Sequence, residues 1–353
     1  MRALVLLDEF SYYCIKPEMD ACVQLDMSQL DKQLSSIKKY DILFVESAWR
    51  GYKNAWNLSR IPKDKNMESM LNKAISVCNK NGVPTVFWNK EDPVMFDKFL
   101  PVAKKFNVVL TTDKGSEARY KSLFPGKKVM TFPFAAQPSI HNILGDCKKN
   151  DHICFAGSNW GAQFKERELD MNHILRPATR YKLHIYNRKD AGGAGKDFPP
   201  EYAQFMVPGI KYDKMVDAYK KYKVFLNLNS VKHSETMFAR RVFEILACGT
   251  PVISSYSPGI EKMFGDTVCL STSAVQTESE IDKLLNDSAY YESKRLEGIK
   301  KVFASHTYSH RLYWLGRLLG IVDSKICKRV QLANAVSDLN NLSSIVASMQ
   351  SFK

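Results

Sequence analysis

Residues 224–255 read VFLNLNSVKHSETMFARRVFEILACGTPVISS. The stretch begins with an apolar run, 224–228, of the length and composition of a strand buried on both faces. It passes into a polar loop that carries Asn227, Asn229, Ser230, His233, Ser234 and Thr236. A helix over 241–248 follows, with Arg240, Arg241 and Glu244 near its start and Gly249 placed to cap its end. A second apolar strand, 251–254, closes the unit. In a doubly wound sheet, ligands bind beyond the carboxyl ends of the strands, where such loops and helix starts meet. Arginines there suit a diphosphate. A glutamate one turn into the helix can accept hydrogen bonds from both hydroxyls of a ribose. The bland alternative is a surface helix whose arginine and glutamate pair with each other.

The same alternation extends outward. Strands are expected at 153–156 and 183–186, and helices at 166–175 and 212–221, with 190–200 (Gly192-Gly193, Gly195, Pro199-Pro200) as a loop. Towards the N-terminus, short β-rich runs fall at 3–7, 42–45, 85–88, 108–111 and 128–132. The helical pattern 67–79 places Met67, Met70, Leu71, Ala74, Ile75 and Cys78 on one face and ends at Asn81-Gly82. Strands separated by helices predict parallel sheets with crossovers. The polar stretch 138–151, with Gly145-Asp146 and Lys148-Lys149, marks a boundary. The expected fold class is therefore α/β: two Rossmann-like domains, 1–145 and 150–305, facing a central cleft. A helical segment, 306–353, is expected to cross back to the first.

Composition narrows the class. A chain of 353 residues exceeds what one core usually organises, and 45% hydrophobic with 25% charged residues is ordinary for a globular protein. No apolar run reaches the roughly 18–20 residues that span a bilayer. Residues 3–7 are five apolar positions followed by Asp8 and Glu9, which reads as a buried first strand rather than a secretory signal. The expected location is cytoplasmic. The cysteines (14, 22, 78, 147, 154, 248, 269 and 327) show no C-x-x-C pair or zinc-like spacing, and are expected as free thiols, mostly buried. The net charge of +14 suits an anionic ligand, a nucleic acid or an anionic membrane alike. The lysines are scattered along the chain, some in pairs such as Lys38-Lys39 and Lys300-Lys301, as on solvated faces.

The run S-x-T-M-F-x-R-R-x-F-E-x-L-A-C-G-T-P-V-I-S over 234–254 resembles the donor-site segment of GT-B glycosyltransferases, and more closely their CgeB-like (spore-maturation-type) branch. The resemblance covers roughly residues 80–315. It implies that 1–145 is the acceptor side and 150–305 the nucleotide-sugar-binding side. It also implies a hexosyl transfer from a nucleotide-sugar, a UDP-sugar favoured, to a hydroxyl on a glycan or other biomolecule. Glu244 would grip the ribose. Phe155-Ala156-Gly157-Ser158 followed by Arg167 is similar to the family's first strand and glycine turn, and Leu183–Asn187 with Arg188 to its next strand. The implied donor-binding set is Gly157, Ser158, Arg167, Arg188, Asn229, Ser234, Thr236, Arg240, Arg241 and Glu244. Many retaining relatives carry a first glutamate where this chain has Thr236, with Glu235 one place away, so retention and inversion both stay open.

Phe87-Trp88-Asn89-Lys90-Glu91-Asp92-Pro93 ends a strand with two carboxylates, and Glu91 or Asp92 is the expected general base. Asp92 also suits the cap of a helix expected at 95–106. Asp8 and Glu9 come next in line. A more distant similarity to phage DNA β-glucosyltransferase rests on the glycine-serine turn, the downstream arginine and the Arg241/Glu244 spacing, and keeps DNA as a possible acceptor. No metal is expected: His306 and His310 lack a third ligand, and arginines would stand in for a cation. No cofactor is required beyond the nucleotide-sugar co-substrate. Gly192–Gly195 lacks the strand-turn-helix context of a dinucleotide loop. The remaining alternative is a GT-B-shaped protein that binds nucleotide or glycan without turnover.

Overall fold

The computed structural model describes residues 1–145, 148–160, 165–192 and 195–352. Asp146 and Cys147 in the polar stretch, and Gly193 and Ala194 in the glycine-rich loop, lie outside the described residues. The chain divides into two compact units, one of residues 1–134 with 308–330, the other of residues 135–307 with 331–353. Each is a Rossmann-like α/β unit, as the alternation of apolar runs predicts.

The first unit holds a six-stranded parallel sheet of β1 (Arg2–Leu6), β2 (Ala21–Gln24), β3 (Ile42–Glu46), β4 (Thr85–Asn89), β5 (Val108–Thr111) and β6 (Lys128–Thr131), in the order β2-β1-β3-β4-β5-β6. Every residue of β3, β4 and β5 is buried, which is why these strands read as continuous apolar runs. The second unit repeats the plan with β7 (Asn150–Gly157), β8 (Leu183–Asn187), β9 (Met206–Val207), β10 (Tyr222–Asn227), β11 (Val252–Ser255) and β12 (Cys269–Ser271), in the order β12-β11-β10-β7-β8-β9. All pairings are parallel.

Three strands escape a sequence reading. β2 is a half-exposed edge with only three apolar residues in a row, and β9 and β12 are two and three residues long. The helix Lys65–Lys80 begins where the Asp64 carboxylate accepts from the Met67 amide at 3.0 Å, and buries Met67, Leu71, Ala74, Ile75 and Cys78. Gly249, at φ +64°, ends the helix Arg241–Ala247 in the left-handed region that a side chain would resist. Cys14, Cys78, Cys154, Cys248 and Cys269 are buried free thiols, while Cys22 and Cys327 are half-buried. Among the described residues no helix is long and apolar enough to cross a membrane.

The helix Tyr308–Leu319 belongs to the first unit, and polar contacts fix it there. The Arg311 guanidinium donates to the carbonyls of Pro133 and Phe134, both at 3.0 Å. Glu18, fully buried, accepts from Ser309 Oγ at 2.8 Å and from Arg329 Nε at 3.0 Å. A carboxylate so enclosed is tolerable only while its cation is present. Arg329→Met should therefore lower the unfolding free energy of this unit by about 3 kcal/mol, and adding Glu18→Gln should recover most of the loss. Urea titration read by tryptophan fluorescence measures it, since Trp49, Trp56, Trp88 and Trp314 all lie in the first unit. An unchanged midpoint for Arg329→Met would mean that burying Glu18 does not depend on this cation.

Candidate functional site

In the second sheet the chain runs from β7 outward to β8 and β9, then returns to place β10 on the other side of β7 and continues to β11 and β12. The direction reverses between β7 and β10, and the crevice at their carboxyl ends is where such sheets bind ligands. Gly157 ends β7 there. A Cβ on it would lie 2.8 Å from Phe155 Cζ and 3.2 Å from Arg241 Nη1, so only glycine lets the guanidinium approach the turn. Arg167, 5% exposed, straps the two strand ends together. Its Nη1 donates to Leu228 O at 2.7 Å and its Nη2 to Ser158 O at 3.1 Å, while its buried Nε has no partner. Burial, with some repulsion from Arg241, brings the Arg167 pKa down to about 9. Arg241 itself makes no hydrogen bond or ion pair among the described residues. Two guanidinium groups thus converge on one glycine turn without a carboxylate between them, an arrangement that an anion would stabilise.

Glu244 lies in the same helix as Arg241 and is 1% exposed. Its Oε1 accepts from Tyr212 Oη at 2.9 Å and pairs with Arg240, and its Oε2 accepts from Tyr219 Oη at 2.9 Å. Burial alone would raise its pKa. Arg240, His141 and the two phenols outweigh that and hold it below the usual glutamate value. The Arg240 guanidinium also stacks over the Tyr212 ring at 4.5 Å. The arginine–glutamate pairing weighed as the bland alternative does exist, with Arg240, but the carboxylate is buried rather than on a surface. Tyr212 and Tyr219 were not singled out from the sequence. Their spacing of seven within the expected helix 212–221 puts both on one face, and that was the available signal.

The polar loop after β10 divides by role. Asn229, fully buried, accepts from the Ala239 amide at 3.1 Å and donates to Ser254 Oγ and Ser255 O, both at 3.1 Å, so it anchors the start of the Arg241 helix. Ser234 Oγ accepts from the amides of Thr236 and Met237 at 3.2 and 2.8 Å and shapes the loop. Thr236 is half-buried, and Glu235 pairs with Lys262 at 2.7 Å. Ser158 is buried against Gly195. Arg188 is exposed beyond the end of β8.

The first sheet reverses direction between β1 and β3. At their carboxyl ends stand Asp8 and Glu46, and Lys90 Nζ reaches both at 2.8 Å. Asp8 also accepts from the amides of Trp49, Arg50 and Gly51 at 3.1, 2.9 and 2.8 Å. Burial would raise its pKa, but Lys90 and these amides hold it below the usual value, which makes it a poor base. Asp92 is fully buried and accepts from Thr111 Oγ1 at 2.6 Å and Asn89 Nδ2 at 2.7 Å. It does not cap the following helix, as its sequence position suggested. That helix is Phe96–Ala103, its N-cap is Met95, and no side chain caps it. The polar pocket of Asn89, Thr111 and Tyr120 draws the Asp92 carboxylate inward instead. Glu91 is half-buried.

Burial raises the Asp92 pKa to about 7 from 3.8, against the pull of Thr111 and Tyr120. The folded chain therefore takes up a proton here that the unfolded chain has released. That stability is fully present below pH ~4 and lost as pH rises through ~7. Burial raises Glu46 in the same direction. Asp92→Asn should flatten, without abolishing, the fall in denaturation midpoint between pH 4 and 7. Identical slopes for parent and variant would rule out Asp92 as a source.

Residues 150–315 match the family described as "Glycosyl transferase-like". A search of curated proteins gives no match. Among solved structures the chain is similar to T4 phage BGT in complex with UDP and Mn2+, with a TM-score of 0.58 at 10% identity, over 91% of this chain and 100% of that one. It is similar to Anabaena Alr3699/HepE in complex with UDP and glucose, with a TM-score of 0.51 at 10% identity, over 96% of this chain and 100% of that one. It is also similar to TarM, with a TM-score of 0.51 at 12% identity, over 82% of this chain but only 58% of that one. The fold is that of the GT-B glycosyltransferases: two Rossmann-like α/β domains with additional C-terminal helices.

Proposed function

We propose that this chain is a glycosyltransferase that takes a hexose from a UDP-sugar and passes it to a hydroxyl of a glycan or other biomolecule, within the CgeB-like branch of the fold. The observation that carries this reading is the pair of guanidinium groups, Arg167 and Arg241, beside Gly157 at the switch point of the second sheet. The family match over 150–315, and the UDP present in the Anabaena and phage structures, support it. The diphosphate lies on the two arginines, and the ribose meets Glu244 once Tyr212 or Arg240 yields a position on Oε1. As the acceptor oxygen attacks the anomeric carbon, the bond to the β-phosphate oxygen breaks and its electrons stay on UDP. The arginines stabilise that charge, so no divalent metal is needed. The acceptor proton goes to Glu91, the more exposed of the two candidate carboxylates. In a retaining reaction that last role falls away.

Calorimetry separates the two donor contacts. Arg241→Met should weaken UDP binding by about 30-fold or more and leave uridine binding nearly unchanged, because only UDP brings the diphosphate. Glu244→Gln should weaken both ligands alike, since the ribose is common to them. Equal losses for UDP and uridine in Arg241→Met would remove the arginine from the diphosphate site. Activity that vanished with EDTA and returned with Mn2+ would overturn the metal-free reading.

Glu91→Gln should keep UDP affinity and lose about 100-fold in turnover of the UDP-sugar, the usual size of general-base assistance. Normal turnover would move the base elsewhere or indicate retention. The +14 charge is compatible with DNA as a second class of acceptor. A salt-sensitive shift of duplex DNA by the parent protein distinguishes it, whereas UDP binding without turnover on any acceptor would leave a binding protein.

A further inference from the structure

The turn after β4 holds three of its four side chains inward. Asn89 Nδ2 donates to Asp92 Oδ1 at 2.7 Å and to Tyr120 Oη at 3.0 Å, and Asp92 Oδ2 accepts from Thr111. Lys90 points the other way into the molecule. Its amide donates to Ser47 Oγ at 3.0 Å, and its ammonium lies between Asp8 and Glu46 and 4.4 Å from the centre of the Phe10 ring. Asp8 is itself fixed by its contacts with the 49–51 amides, and its own amide donates to Glu46 Oε1 at 2.6 Å. The Glu91 side chain makes no hydrogen bond within this framework, although its charge is felt by the Lys90 ammonium, and its amide leans on Asn89 Oδ1 at 3.3 Å.

A lysine 3% exposed, held by one fully buried carboxylate and one partly buried one, is a costly way to gain stability, since apolar residues of the same volume serve as well or better. Its geometry offers something apolar packing does not, a directed tether from β1 and β3 to the turn that follows β4. We infer that Lys90 is a positioning residue whose ammonium, clamped by Asp8 and Glu46, sets the backbone of residues 89–92 and hence the direction of the Glu91 carboxylate. The inference rests on the reading of Glu91 as the base.

Lys90→Met alone leaves two carboxylates facing each other and is expected to fold poorly, so the decisive variant is Lys90→Met with Glu46→Gln, which removes one charge of each sign. The probe is UDP-glucose hydrolysis, with UDP affinity measured by calorimetry. In the double variant, kcat should fall by about 100-fold, the size expected when a reacting group is misplaced by about 1 Å. KM and UDP affinity should stay within about twofold of the parent, the split expected when only a group acting in the transition state has moved. Amide hydrogen exchange across residues 89–95 should accelerate in the same protein, whether or not UDP-glucose is the natural donor. A folded double variant with parental kcat or parental exchange overturns the inference. Glu91→Gln, run alongside, tells the two ideas apart. An impaired Glu91→Gln beside a normal double variant sinks only the role of Lys90, whereas an unimpaired Glu91→Gln sinks the base itself.

Discussion

A parallel sheet covered on both faces has nowhere to keep polar side chains except at the ends of its strands. β3, β4 and β5 are buried at every residue, and so are the last four positions of β10. Parallel pairing puts all carboxyl ends on one edge of each sheet, so the polar residues that conclude the strands are gathered without any long-range design. Glu46, Asn89 and Thr111 end three successive strands of the first sheet, and Gly157, Asn187 and Asn227 end three of the second. The concentration of chemistry at these edges follows from the hydrophobicity of the strands themselves.

What happens to the charges gathered there depends on desolvation. A carboxylate with no water must be neutralised, protonated or hydrogen-bonded. All three outcomes occur. Glu244 is neutralised by Arg240 and bonded by two phenols, Asp8 is bonded by three amides and a lysine, and Asp92 sits among Asn89, Thr111 and Tyr120 with its proton retained to about pH 7. Arg167 is bonded by two backbone carbonyls and Arg241 is attracted by Glu244, but neither guanidinium is paired with a carboxylate among the described residues, and this is why they, rather than the more conspicuous acids, carry the functional reading.

Much of this was legible in the order of residues. Both sheets follow from apolar runs separated by amphipathic ones, Arg241 and Glu244 stand out at the start of a helix after a polar loop, and Arg167 is legible only through the family resemblance. The short strands β2, β9 and β12 were not legible, because two to four residues are too few to show a periodicity. Nor was the fate of Asp92. Next to a proline and ahead of a helix it has the local signature of a cap, and only the tertiary placement of Thr111 and Tyr120 draws it inside. Lys90 and Glu46 are 44 residues apart, and no local pattern links a lysine in a turn to an acid at the end of another strand. Local chemistry predicts well what backbone periodicity controls, and poorly what two distant side chains decide between them.

The chain leaves the first unit after Phe134, returns at Tyr308, and departs again after Val330. Each unit is therefore assembled from two separate pieces of polypeptide. Neither can be emitted from a ribosome complete before most of the other has been made, because the carbonyls of Pro133 and Phe134 wait for Arg311. For the same reason, exchanging one whole unit between relatives takes a cut at all three crossings rather than at a single junction.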